Sequence, residues 1–158
     1  NILVKKGEKI NIHLYVAGDG KYKNKLQKLI KKYSLDNNVI LLGNQLNIGK
    51  LLDSCDIFVH PSYDEGFGIA VVEAMHAGKP IIASNIGALP ELIDDGYSGI
   101  LINPFDADLW SEKITYLLNN QDESIKLAKR AKEKAKRSFS VKRFIEQYNF
   151  LYDSLINE

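Results

Sequence analysis

Short apolar runs alternate with segments of helical period along the chain as far as Pro104. The runs cover residues 12–17, 39–42, 57–59, 80–83 and 99–102. Each is continuous rather than alternating, as in strands buried on both faces. Between them, residues 22–33, 46–55, 69–77 and 89–94 carry apolar positions at helical spacing. Strand, helix, strand in repetition predicts an α/β fold, a parallel sheet with right-handed crossovers. Ligands bind such sheets beyond the carboxyl ends of the strands. The turns after Ala17, Leu42, Val59, Ala83 and Ile102 are therefore the places to look for a site. Beyond Pro104 the pattern is helical. Asp106 is placed to cap a helix through Leu109, Trp110, Ile114, Leu117 and Leu118. Ile125, Leu127, Ala128, Ala131 and Ala135 form the next stripe. Val141, Phe144, Ile145, Tyr148, Leu151, Tyr152 and Leu155 form the last.

A length of 158 residues fits one domain, 1–158, with no room for two full cores. Hydrophobic residues at 45% and charged residues at 26% are values of a globular protein. The net charge of +1 argues against nucleic acid as a partner. That average conceals an asymmetry. Residues 126–143 hold nine basic side chains and one acid, Glu133, which leaves −7 on the remainder. A solvated helix face is the expectation for this basic run, with peripheral contact to anionic lipid or another domain as the alternative. Cys55 is the sole cysteine, so no internal disulfide forms; a packed thiol is expected. No apolar run reaches the length of a membrane span and no leader is evident, so a cytoplasmic setting is expected. No cluster of metal-ligating residues stands out. His13 is expected to be structural, and His60 and His76 to have core or hydrogen-bonded roles.

Two phosphate-binding patterns fail. Gly18-Asp19-Gly20 follows a strand, but Lys23 stands where the dinucleotide fingerprint needs glycine. Gly43 and Gly49-Lys50 are separated as no P-loop is, and Leu51 replaces its Ser or Thr. Gly18 and Gly20 still permit a ligand close to the backbone at a strand end. The segment from His60 to Met75 is more informative. Gly66 and Gly68 open the turn after the 57–59 strand, and a helix begins near Gly68. Its first N–H groups and positive dipole end suit a phosphate. Ile69, Val71, Val72, Ala74 and Met75 make this helix apolar nearly all round, which predicts burial. Glu73 lies within it and, if buried, needs a partner such as a ligand hydroxyl. Glu65 stands at the mouth of the turn, where a carboxylate can bind sugar hydroxyls or stabilise positive charge on a sugar carbon.

Glu65 and Glu73, with seven residues between them and Gly66-Phe67-Gly68 in the gap, resemble the signature of the retaining glycosyltransferases of family 4. Pro61-Ser62 fits the same pattern. The strand-then-glycine turn at residues 16–20, the helix-to-strand segment 74–83, and the blocks 87–93 and 96–101 are similar to further blocks of that family. The resemblance implies the two-domain GT-B architecture. This chain would be its C-terminal half, a Rossmann-like parallel sheet flanked by helices, with extra C-terminal helices. It further implies that Glu73 binds the nucleotide ribose and that Glu65, the catalytic candidate, holds donor-sugar hydroxyls at the reacting carbon. Gly66, Phe67, Gly68 and Ile69 would contact sugar and diphosphate through backbone N–H groups. Gly18 and Gly20 would line the donor, and residues 44–46, with Leu46, would face the base. The implied substrate is a UDP- or GDP-sugar, with no metal and no cofactor.

The family pattern also includes an N-terminal acceptor domain, a first strand, and an Arg and Lys that bind the diphosphate. Lys6-Gly7 lies too close to Gly18 for that pair, and residues 1–9 read as the end of a helix. The chain is thus expected to begin partway into the donor domain, and residues 140–157 to be a helix crossing to the acceptor domain. Losing two charged hydrogen bonds costs about 3–6 kcal/mol, or about 100- to 10,000-fold in affinity. Weak donor binding and no transfer by the chain alone are expected. The activity read from the resemblance is hexosyl transfer, with retention, from a nucleotide-diphosphate sugar to a glycan or lipid-linked acceptor, at the inner membrane face, in cell-surface polysaccharide or glycolipid synthesis. Alternatives are a non-catalytic nucleotide-binding or interaction module, or another GT-B enzyme such as a sugar-nucleotide epimerase.

Overall fold

A computed structural model describes residues 12–156. The helix expected at residues 1–9, with Lys6-Gly7, falls outside them. The chain divides into two compact units, Asn1–Ile48 and Gly49–Glu158.

The first unit contains β1 (Leu14–Ala17), α1 (Lys23–Lys32) and β2 (Val39–Gly43), and ends where α2 (Ile48–Ser54) begins. β1 and β2 pair in parallel, Leu14 opposite Val39 and Val16 opposite Leu41. α1 forms because Leu26, Leu29 and Ile30 recur at helical spacing, while Lys31 and Lys32 sit at the negative end of its dipole. Ser34, at φ +53°, turns the chain out of the helix, and the N–H of Leu35 returns to the carbonyl of Ile30 at 2.9 Å. Strands buried on both faces are not what this unit shows. Leu14 and Tyr15 are 41% and 51% exposed: among the described residues of this unit, α1 buries none of its own and cannot cover both faces of the β1–β2 ladder.

The second unit carries β3 (Phe58–His60), α3 (Ile69–Ala77), β4 (Ile81–Ser84), α4 (Leu89–Leu92), β5 (Ile100–Ile102), α5 (Ala107–Asn119), α6 (Gln121–Ser138) and α7 (Val141–Ile156). The sheet is parallel in the order β3-β4-β5. In register, His60 stands opposite Ala83, and Ser84 opposite Ile102. β4 is central and buried at every residue, as its continuous apolar run predicts. α3 packs on β4 and α6, while α5 packs on β4, β5 and α6. Ile82, Ile102, Trp110, Leu117 and Leu127 form the core, with Ile57, Val59, Ile100, Leu109 and Ile114 around it. Trp110 keeps its indole N–H satisfied by donating to the carbonyl of Asn103 at 3.2 Å. Asp106 caps α5, accepting from the Leu109 N–H at 3.0 Å.

The basic run lies on α6 and at the start of α7. The buried side of α6 is Ser124, Leu127, Ala128, Ala131 and Ala135, and the three alanines are small enough to let α3 approach. Two of its cations hold the turn before β5: Lys134 pairs with Asp94 at 2.8 Å, and the Arg130 guanidinium lies 4.3 Å from the Tyr97 ring centroid. The others largely face solvent. Every residue of α7 is exposed, including the whole apolar stripe predicted for it. No described helix is long and apolar enough to cross a membrane.

Candidate functional site

The carboxyl ends of β3, β4 and β5 point the same way, so the turns that follow them share one edge of the sheet. The turn after β3 leads from His60 to Gly68, the N-cap of α3. Gly68 holds φ +91°, a left-handed conformation that lets the chain enter α3 abruptly. A Cβ there would also stand 2.8 Å from the Leu89 side chain and 3.0 Å from that of Leu92. The N–H groups of Ile69 and Ala70, in the first turn of α3, have no carbonyl within the helix to bond.

Glu65 sits in this turn with its side chain about one-fifth exposed. Its Oε2 lies 2.7 Å from His60 Nε2 and 3.4 Å from the Ser62 hydroxyl that donates to it. The His60 hydrogen bond, foremost, holds the Glu65 carboxyl below the usual carboxylate range. Partial burial opposes this, while the His60 charge, Ser62 and the Gly68 N–H add to it. The His60 ring is held in turn by Phe58, two residues back on the same face of β3, with ring centroids 6.0 Å apart and planes 14° apart. The backbone of Glu65 is fixed from another side. Gly87, in the turn after β4, lies so close that a Cβ on it would overlap the Glu65 carbonyl oxygen. The sequence assigned His60 a hydrogen-bonded role without naming its partner. The spacing His60-x-Ser62-x-x-Glu65 on one turn is the signal from which this contact could have been read. Gly87 left no such signal, being 22 residues from Glu65 along the chain.

The structure gathers Glu65, Gly66, Phe67, Gly68 and Ile69 into one turn, with Phe67 and Ile69 52% and 68% exposed. Glu73 corrects the expectation of burial. It is exposed, on a face of α3 shared with Ile69 and His76, whereas Val71, Ala74 and Met75 turn to the interior. The apolar residues of α3 outnumber the positions its neighbours cover, so one face stays open despite its composition. His76 Nε2 lies 3.4 Å from the Phe139 carbonyl oxygen. Cys55 is half-buried and its Sγ donates to the Leu52 carbonyl at 3.2 Å; burial pushes the thiol pKa up, as for a packed, unreactive cysteine.

In the first unit, Gly18 holds φ +116° and donates its N–H to the Gly43 carbonyl at 2.7 Å, joining the turns after β1 and β2. Gly20 donates its N–H to Asp19 Oδ1 at 2.8 Å, and Asp19 pairs with Lys23 at 2.8 Å. The Lys23 bond and the Gly20 N–H hold the Asp19 carboxyl below its usual range. Leu46 is wholly exposed and His13, just before β1, is exposed. Among the described residues no group of three or more His, Cys, Asp or Glu side chains converges as metal ligands do.

The model of one family, glycosyl transferases group 1, matches residues 2–138. A glycosyltransferase of Methanocaldococcus jannaschii, itself uncharacterised, is 32% identical over 157 residues, which cover 98% of this chain and 44% of that protein. The poly(ribitol-phosphate) alpha-N-acetylglucosaminyltransferase of Staphylococcus aureus is 30% identical, with 97% of this chain and 31% of that enzyme covered. The crystal structure of HepE from Anabaena in complex with UDP-glucose is 29% identical with a TM-score of 0.86, covering 90% of this chain and 41% of that one. The chain thus spans less than half the length of these relatives.

Proposed function

The chain belongs to the glycosyl transferases group 1 family, and from that premise we propose that it is the donor-binding domain of a retaining glycosyltransferase of family 4. The reaction is transfer of a hexosyl group from a nucleotide-diphosphate sugar, a UDP-sugar first, to a glycan or lipid-linked acceptor. The fold, parallel strands flanked by helices, is that of the GT-B glycosyltransferases it resembles. The observation that carries the proposal is the Glu65 carboxylate held beside the N-terminus of α3. An ionised carboxylate accepts from hydroxyl donors, and helix N–H groups donate to phosphate oxygens. A sugar diphosphate presents both groups a few ångströms apart. Support for UDP comes from the ligand of the HepE structure. Support for a polymeric acceptor comes from the poly(ribitol-phosphate) named for the Staphylococcus relative.

In this reading Glu65 orients the sugar hydroxyls and favours positive charge developing at the anomeric carbon. The first-turn N–H groups of α3 carry the diphosphate as leaving group. Glu73, exposed on the same helix, takes the ribose hydroxyls. No metal ion takes part in this reading. The acceptor is bound outside this chain, at the inner face of the membrane. Calorimetric titration with UDP, GDP, ADP and NAD tests the proposal. Binding of a nucleoside diphosphate, weakened by Glu73→Ala, while NAD stays silent, is the expected result. NAD binding with no nucleoside diphosphate bound overturns it.

A further inference from the structure

His60 Nε2 lies 2.7 Å from a carboxylate oxygen, and a carboxylate can only accept. That nitrogen therefore carries a hydrogen, whether the ring is neutral or cationic. Ser62 Oγ, 3.3 Å from the same nitrogen and 3.4 Å from the same oxygen, donates to Glu65 rather than to the ring. Oε2 is thus engaged by two donors, the Gly68 N–H makes a lesser contribution to the carboxylate, and Oε1 holds acceptor capacity that neither His60 nor Ser62 uses. The ring is fixed before any ligand arrives, by its place in the β3–β4 ladder and by its stack on Phe58.

A contact of this kind adds little to stability. Both side chains keep about one-fifth of their surface in solvent, so the pair is screened in part. Ordering a glutamate side chain on a loop costs about as much entropy as such a pair returns. What the contact does accomplish is to select one rotamer of Glu65. The close approach of Gly87 to the Glu65 carbonyl oxygen fixes the backbone that carries it. We propose that His60 is a positioning residue: its Nε2–H holds Oε2 of Glu65 so that Oε1 is presented to a hydroxyl of the donor sugar. This rests on the reading of Glu65 as the sugar-binding carboxylate.

The test compares UDP with UDP-glucose, which differ by the sugar alone. In calorimetric titrations of the chain, His60→Ala is expected to weaken UDP-glucose about tenfold and leave UDP within about twofold, the loss of roughly one hydrogen bond to a charged group. Glu65→Ala should show the same selective loss, and the double variant should be no worse than Glu65→Ala. His60→Gln places an amide N–H near the position of Nε2 and should recover part of the difference. Equal weakening of both ligands by His60→Ala, with near-UV circular dichroism unchanged, marks a merely structural role and overturns the proposal, as does no effect on either. A second measurement needs no ligand. In carboxyl-¹³C-labelled protein, Glu65 should titrate below the ordinary glutamate range, move up in His60→Ala, and return partway in His60→Gln. A Glu65 titration that His60→Ala leaves in place overturns the proposal even if the sugar nucleotide binds. Should neither nucleotide bind, the donor reading of Glu65 fails, and this carboxyl titration alone decides whether His60 positions it.

Discussion

Gly87→Ala perturbs the site from outside its own loop. Gly87 holds φ +51°, where a side chain costs about 1–2 kcal/mol. The added Cβ would also overlap the Glu65 carbonyl oxygen and stand 3.2 Å from the carbonyl carbon. Both are backbone atoms, so no rotamer change relieves the overlap, and either the turn after β3 or the turn after β4 must move. Overpacking of this kind costs about 1–3 kcal/mol. Together the two effects predict a loss of about 2–5 kcal/mol, or a fall of roughly 5–20 °C in melting temperature for a chain of this size. Gly96→Ala separates the contributions. Gly96 holds φ +69° with nothing within 4 Å of a built Cβ, so it reports backbone strain alone, about 1–2 kcal/mol. Gly68→Ala should fall between the two, since the Cβ there meets the flexible ends of Leu89 and Leu92. Thermal and urea denaturation of the three variants supply the comparison. A Gly87→Ala chain within about 0.5 kcal/mol of Gly96→Ala would refute the reasoning, because the close approach to Glu65 would then carry no energy.

Asp106→Ala removes the acceptor of the Leu109 N–H at the start of α5 and should cost about 1 kcal/mol in urea denaturation. Ile82→Ala empties a fully buried position at the centre of the core and should cost about 2–5 kcal/mol, against under about 1 kcal/mol for exposed Leu46→Ala. The Glu65 carboxyl titrates below the ordinary glutamate range, so its ionised form favours the folded state. The stability advantage of the natural chain over Glu65→Gln should therefore be full at neutral pH and disappear as pH falls through the lowered native value; an advantage that grows in acid contradicts the assigned cause. α7 has no buried residue and is held mainly by its own turns and the ring pairs Phe144–Tyr148 and Tyr148–Tyr152. A helix of 16 residues is marginal by itself, so its amides should exchange fastest among α3, α5, α6 and α7.

Much of this was legible where one local rule decides the outcome. α3 runs from Ile69 to Ala77, as its spacing predicts, because Gly68 and Gly78 bracket it and both take left-handed conformations that end a helix. Asp106 caps α5 because a short acidic side chain before a helix has a nearby N–H to accept. β3 and β4 end one residue later than their apolar runs, at His60 and Ser84, because ladder pairing rather than hydrophobicity sets a strand end. The failures have a common cause. Glu73 was expected to be buried because α3 is apolar nearly all round, yet burial depends on which neighbours arrive. β4 and α6 cover Val71, Ala74 and Met75 and leave Ile69, Glu73 and His76 outside. β1 reads like β4 in sequence, but β4 lies between two strands, whereas among the described residues β1 pairs with β2 alone. The approach of Gly87 to Glu65 joins two turns through the sheet, a relation that no local pattern encodes.

On the proposed donor-binding reading, the charge distribution gives the pairing of Glu65 a consequence. Outside residues 126–143 the chain carries a net charge of −7, and Glu65 and Glu73 both belong to that part. In the proposed reading, a diphosphate binds there against the sign of the average. Distance and geometry decide the outcome, since charges beyond about 10 Å are largely screened at ordinary salt. Close to the turn after β3, the fixed groups are the first N–H groups of α3 and the N–H of His60. Oriented N–H groups favour an anion without any net charge. The His60 bond also keeps one oxygen of Glu65 occupied, so the carboxylate faces its surroundings with only part of its accepting capacity. A carboxylate can therefore stand beside a helix N-terminus without closing it to phosphate, provided that a donor on the protein holds it in place. Loss of that donor should leave nucleotide binding intact and degrade the recognition of the sugar, and this asymmetry distinguishes a positioned carboxylate from one that is merely nearby.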